Sequence, residues 1–148
     1  MAKADDVTDA DYAALLEFRD SLRRFLRFSE ARAKEAGLTP AQHQLLLAVR
    51  GHVGDPSIGE IAEHLLLQHH SVVELVDRAE QNGLVRRSAD AQDQRVVRVA
   101  LTKAGAAKLA TLSADHLEEL ARLRDGFTLL LPPAGDEPPA TRSSARRR

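Results

Sequence analysis

The chain of 148 residues carries 21 Lys and Arg against 22 Asp and Glu, a formal charge of -1, with 43% hydrophobic residues and neither Cys nor Trp. That is enough for one domain, or one domain with an extension, and for a core that folds without staples. It excludes a disulfide framework, a thiolate metal site, a cysteine redox sensor and a uniformly basic nucleic-acid coat protein, but leaves room for a local basic patch.

No run approaches the roughly 18 apolar residues of a membrane span. The acidic segment 1–11 has no apolar core of the kind a signal peptide needs, so a cytoplasmic protein with no membrane contact is expected. The 24 Ala and 22 Leu favour helix, and only five residues are Phe or Tyr, too few for a platform that stacks single-stranded bases.

From about 9 to 36, Leu15, Phe18, Leu22, Phe25, Leu26 and Ala33 recur at spacings of three and four, which predicts a long amphipathic packing helix stopped near Gly37. Its polar side sets Arg19, Arg23, Arg24, Arg27, Arg32 and Lys34 against Asp20 and Glu30, either a solvated face that pairs with acids elsewhere or a phosphate-contacting one. Thr39-Pro40-Ala41-Gln42 is a capping box with proline at the first helical position, opening a second helix to about Arg50. After a loop at 51–56, Ser57-Ile58-Gly59-Glu60 is another capping box. Ile58, Ile61, Ala62 and Leu65 then bury one face of a short helix. The same spacing returns in Val72, Leu75, Val76 and Ala79 and ends at Asn82-Gly83. Two short helices joined by a tight turn outline a helix-turn-helix.

Residues 84–87 and 95–101 are β-prone and flank a polar stretch with two Asp, which predicts a hairpin with a charged tip. Here Arg86, Arg87, Arg95, Arg98 and Lys103 oppose only Asp90 and Asp93. A helix-turn-helix followed by a basic hairpin is a winged helix, whose second helix enters the major groove while the wing reaches the neighbouring backbone or minor groove. Thr102 caps a last helix reaching roughly Asp125, with Leu109, Leu112, His116, Leu120 and Leu123 on one stripe. It is longer than a small winged helix needs for its own core. With the first helix it predicts a dimer built from the chain's two ends, where Asp115, Glu118, Glu119 and Asp125 meet the arginines of the first helix. The segment 132–148 holds four of the six prolines and ends on Arg146-Arg147-Arg148; it reads as a disordered tail, either a solvated terminus or a source of non-specific DNA affinity.

The string Ile61-Ala62-Glu63 to Leu65, Val72, Leu75-Val76-Asp77-Arg78, Gly83-Leu84-Val85, Asp93-Gln94-Arg95, Val97, Val99, Leu101-Thr102 and Gly105 resembles the multiple-antibiotic-resistance regulator (MarR) family of bacterial transcription factors. The resemblance covers about 9–125. It implies a mainly α fold with a small β-wing: a single domain over 1–131, with the winged helix-turn-helix at about 39–101 and dimerisation helices at 9–36 and 102–131. The function it implies is that of a homodimeric repressor of a neighbouring gene, bound to a pseudo-palindrome in double-stranded DNA and released by a small aromatic or phenolic ligand. Carried over by position, Gln68, His69, His70, Ser71, Val73 and Glu74 form the exposed start of the recognition helix and Arg95 belongs to the wing, with Asp93 orienting it. Arg78 is either a phosphate contact or a structural partner of Asp77. Three positions, and the length of the last helix, depart from the family pattern. Gln68 replaces a Ser or Thr cap, Glu74 a common Lys or Arg, and Gln94 a second wing arginine. The last helix is short, only 127–131 being apolar before the prolines.

His70 and Glu74 share a helix face and His64, His69 and His70 are close in sequence, but no metalloprotease-type or Cys-containing ligand set accompanies them, so no metal or other cofactor is expected. The resemblance implies that His43 and His116 lie on helices bordering the family's usual ligand crevice; they read either as ligand contacts or as core or interface histidines. No phosphate loop, activated Cys or nucleophile elbow is present, which disfavours an enzyme. The rival class is a dimeric helical interaction protein that has lost DNA binding, motivated by Glu74 and Gln94.

Overall fold

In the computed structural model, which describes residues 3–130, a 3-10 turn at Ala4–Asp6 leads into five helices and one hairpin. In chain order these are α1 (Asp9–Glu35), α2 (Pro40–Gly51), α3 (Ile58–Leu65), α4 (His69–Gln81), β1 (Val85–Ala89), β2 (Val97–Leu101) and α5 (Lys103–Leu130). The winged helix-turn-helix is therefore flanked by two long helices, as the sequence predicts. α5 continues past Gly126 to Leu130, beyond the end expected from its stripe. The tail 132–148 lies outside the described residues.

Local chemistry sets the helix starts. Thr8, Thr39 and Ser57 each accept a bond from the backbone three residues on, and Asp11, Gln42 and Glu60 return one to the cap residue's own N–H. Each box satisfies two donors that a helix start otherwise leaves open. α4 is different: Gln68 sits at its N-cap and makes no side-chain capping bond.

The ends of α1 and α4 share one motif. Gly37 and Gly83 adopt positive φ, and the next residues, Leu38 and Leu84, return their N–H groups to Ala33 and Ala79 while burying their side chains. At the end of α3 the same left-handed position is held by Leu66, with φ 54°, and Leu67 donates to the Ala62 carbonyl. That residue forms the turn between the two helices of the helix-turn-helix.

The core collects around α2. Leu45, Leu46 and Val49 pack with Ile61 of α3, Val72 and Val76 of α4, Val85 and Val99 of the hairpin, and Leu109 and Leu112 of α5. The two strands pair antiparallel from Val85 opposite Leu101 to Ala89 opposite Val97, and Ser57 bridges Arg98 at the far side of β2. The wing is thus tied to the start of α3. Thr102 joins wing to α5: its hydroxyl donates to the Gly83 carbonyl and accepts from Gly105 N–H, and its N–H donates to the Leu84 carbonyl.

The apolar stripes of the two long helices divide. Ala33, Leu109 and Leu112 enter the core, whereas Tyr12, Leu15, Leu16, Leu22 and Leu26 of α1 and Leu117 and Leu120 of α5 stay exposed in the single chain. Between the helices an apolar groove of about 450 Å³ is lined by Phe18, Leu22, Phe25, Leu120, Leu123 and Arg124.

Candidate nucleic-acid interface

Burial along α4 sorts its residues by face. Val72, Leu75, Val76 and Ala79 anchor it in the core. Gln68, His69, His70, Glu74 and Arg78 are exposed, and Ser71 and Val73 are half-buried. The uncapped start at Gln68 leaves backbone N–H groups at the positive end of the helix dipole, where an anion is favoured. Glu74 and Arg78, one turn apart, lie 3.7 Å from each other on the outer side.

The reading of Arg78 as a partner of Asp77 does not hold. Asp77 is taken by Arg87 of β1, and Arg78 is left on the exposed face beside Glu74. The reason is geometric: Asp77 turns toward the hairpin, whereas Arg78, one residue on, points 100° away around the helix.

The wing tip is built on carboxylates that bond to backbone. Asp90 accepts from the N–H groups of Gln92 and Asp93, and Asp93 accepts from that of Arg95. Asp93 also receives the Arg95 guanidinium in a two-pronged contact, Nε at 3.1 Å and Nη2 at 3.2 Å. The Arg95 contacts hold the Asp93 carboxyl below the usual carboxylate range. Arg95 is nevertheless 92% exposed, a cation held in direction but open to solvent.

The remaining wing cations are not equally available, and this corrects the simple charge count. Arg98 Nε lies 3.0 Å from Asp90 and its Nη1 3.4 Å from Glu60, and these pairings lower the Asp90 pKa and raise that of Arg98. Glu60 also meets His52 Nε2 at 2.9 Å. Arg87 is bound to α4, and Arg86 reaches the Leu101 carbonyl. Nothing in the sequence marked these partners, because they come from elements that only the tertiary fold brings together.

His69 and Val73 of α4, Arg87 of β1, Arg95, Val96 and Val97 of the wing, and Ser57 to Gly59 at the start of α3 line one open crevice of about 470 Å³. α4 and the wing arginine thus frame the same space.

His43 and His116 do come together, at the junction of α1, α2 and α5, with ring centroids 4.8 Å apart. His116 uses both nitrogens, Nδ1 against the Leu112 carbonyl at 2.6 Å and Nε2 against Ser29 Oγ at 2.8 Å, and Phe25 and Phe28 meet its ring edgewise. His43 is almost wholly buried; burial, and then the neighbouring His116, push its pKa down. Among the described residues no group of three or more His, Cys, Asp or Glu is arranged to hold a metal ion.

The acids of α5 meet the expectation only in part. Asp115 meets Arg32 of α1 at 3.2 Å within one chain, while Glu118 and Glu119 both hold Arg122 of their own helix. The side chain of Asp125 lies outside those described. On α1, Arg23 and Arg24 pair with Asp20 and Glu17 of the same helix, so much of that cationic face is a solvated, self-paired surface. Among the described residues no helix is long and apolar enough to cross a membrane.

A family model described as MarR family matches residues 36–96. The HTH-type transcriptional repressor MdtR of Bacillus subtilis is 33% identical over 89 residues, which are 60% of this chain and 57% of that protein. The HTH-type transcriptional regulator MhqR of the same organism is 32% identical over 84 residues, 57% of each chain. The chain therefore spans somewhat over half the length of these curated relatives. Among solved structures, a MarR family protein from Bacillus stearothermophilus superposes with a TM-score of 0.68 at 26% identity, covering 82% of this chain and 85% of that one. The S. aureus MepR-DNA complex shares the fold, with a TM-score of 0.64 at 22% identity over 74% of this chain and 80% of that one.

Proposed function

Because residues 36–96 match the MarR family and the winged-helix fold is shared along most of the chain with a solved member of it, we propose that this protein is a sequence-specific DNA-binding transcriptional regulator. It acts in the cytoplasm as a homodimeric repressor of a neighbouring gene, on a pseudo-palindromic operator. The observation that carries this reading is the shared crevice: His69 and Val73 of the recognition helix line one side and Arg95 of the wing the other. A helix in the major groove and a wing on the adjacent backbone require that juxtaposition. MepR, of the same fold, is solved on DNA.

The dimer is supported by the exposed apolar residues of α1 and α5, of which Phe18, Leu22 and Leu120 line one groove between the two helices. Two-fold symmetry then doubles the helix and the wing to match a palindrome. Gln68, His69, His70, Ser71, Val73, Glu74, Arg78 and Arg95 form the DNA-facing set. Glu74 accepts from a base amino group in the groove, cytosine N4 being the usual partner of a carboxylate there. A small aromatic or phenolic ligand acts at the α1–α2–α5 junction beside His43 and His116. No catalytic role is assigned, since the named relatives are regulators.

An electrophoretic mobility assay against the gene's own upstream region tests the proposal: a discrete shifted complex that survives excess random duplex is expected. If no duplex outcompetes random DNA at physiological salt, the protein is instead a helical interaction module.

A further inference from the structure

The recognition helix α4 carries Glu74, Asp77 and Glu80 against a single arginine, Arg78. Facing a polyanion, each unneutralised carboxylate repels phosphate. Arg78 lies near Glu74, which leaves two. Both are met from outside the helix, by Arg87 of β1. Its Nη2 bonds Asp77 and lies 3.5 Å from the Val73 carbonyl, and its Nη1 is 3.6 Å from Glu80. Its own backbone N–H donates to Glu80 at 2.9 Å. The fork is turned toward the helix, and the Arg87 side chain is only 29% exposed, against 92% for Arg95. Yet Arg87 lines the crevice that His69, Val73 and Arg95 share.

We infer that Arg87 is a positioning residue for DNA binding rather than a phosphate contact. It cancels Asp77 and Glu80 and fixes the wing against α4, so that Arg95 and the start of the recognition helix reach one duplex together. This rests on the DNA-binding reading above.

The two roles predict opposite signs. If Arg87 served DNA directly, Asp77→Asn would remove an anion from the DNA-facing helix and release a cation, and binding would tighten. If Arg87 positions the wing, the same change weakens binding although the protein has become more positive.

The measurement is fluorescence anisotropy of the full chain on a labelled duplex from its own upstream region. Preferential binding by the wild type is established first; if it is absent, the functional reading falls and not this one. Given that binding, Asp77→Asn is expected to lose about tenfold in affinity. Arg95→Ala, costly in the wild type, should cost little more in the Asp77→Asn background, because the wing is already displaced. A purely structural role for the Asp77–Arg87 pair would leave the two losses additive. Unchanged or tighter binding by Asp77→Asn overturns the inference, as does full additivity. Should Asp77→Asn fail to fold, Glu80→Ala, which removes the acceptor of the Arg87 backbone N–H, carries the same expectations.

Discussion

His43 and His116 face each other with ring centroids 4.8 Å apart, at the point where both long helices meet the winged helix-turn-helix. Burial and the facing imidazole push the His43 pKa below its ordinary 6.5. As pH falls through that value, the unfolded chain takes up a proton that the folded chain refuses, so stability declines in acid. The Asp11, Asp90 and Asp93 carboxyls, held below their usual 3.8, do not interfere, since their contribution is lost only at lower pH still. Urea midpoints should drop between pH 7.5 and 5.5, and His43→Leu should flatten that drop. An equal drop in both proteins would show that His43 is not the group responsible.

Gly105 opens α5 against the backbone of the segment leading into the hairpin. A Cβ there would stand 2.1 Å from the Leu84 carbonyl oxygen, an atom that already accepts from Thr102 N–H and cannot swing aside. Gly105→Ala should therefore destabilise by about 3 kcal/mol in urea unfolding, at the upper end of overpacking effects. A loss below about 0.5 kcal/mol would mean that the wing and α5 are not packed this closely.

What was legible in the sequence was local. The boxes at Thr39 with Gln42 and Ser57 with Glu60, and the stops at Gly37 and Gly83, are decided within four or five residues, so spacing alone placed α2, α3 and the ends of α1 and α4. The Thr8 box is harder to read from sequence, because its third-position partner is Asp11 rather than Glu or Gln. The fate of the wing arginines was not legible. Arg87 and Arg98 look like DNA contacts by composition, and only the packing of β1 on α4 and of β2 beside α3 shows their carboxylate partners. Likewise the stripe on α1 revealed an apolar face, but not that Leu15 and Leu26 would stay outside the monomer core while Ala33 entered it.

Leu66 is a test of stored backbone strain. It holds the left-handed C-terminal position of α3 at φ 54° while 91% exposed, so its side chain contributes little packing in return. Leu66→Gly removes a penalty of about 1 kcal/mol, partly offset by the greater freedom of glycine in the unfolded chain. A small rise in the urea midpoint is expected. A fall would place Leu66 in a stabilising contact, such as an interface.

Leu120 remains 45% exposed in the single chain and lines the apolar groove between α1 and α5. If that face joins two copies, Leu120→Asp should yield folded monomers in sedimentation equilibrium, with unchanged helical circular dichroism and weak half-site binding. A variant that stays dimeric would move the dimer contact elsewhere.

The central claim is that a recognition helix and a wing arginine read one operator from both halves of a dimer. It is tested most directly by the salt dependence of anisotropy-measured affinity for the upstream palindrome and for a scrambled duplex, in wild type and Arg95→Ala. The wild type should prefer the palindrome by about 10³ or more. Arg95→Ala should bind both duplexes more weakly, with a log-affinity against log-salt slope shallower by about one per protomer. Equal affinity for the two duplexes, or an Arg95→Ala slope identical to wild type, would contradict the account.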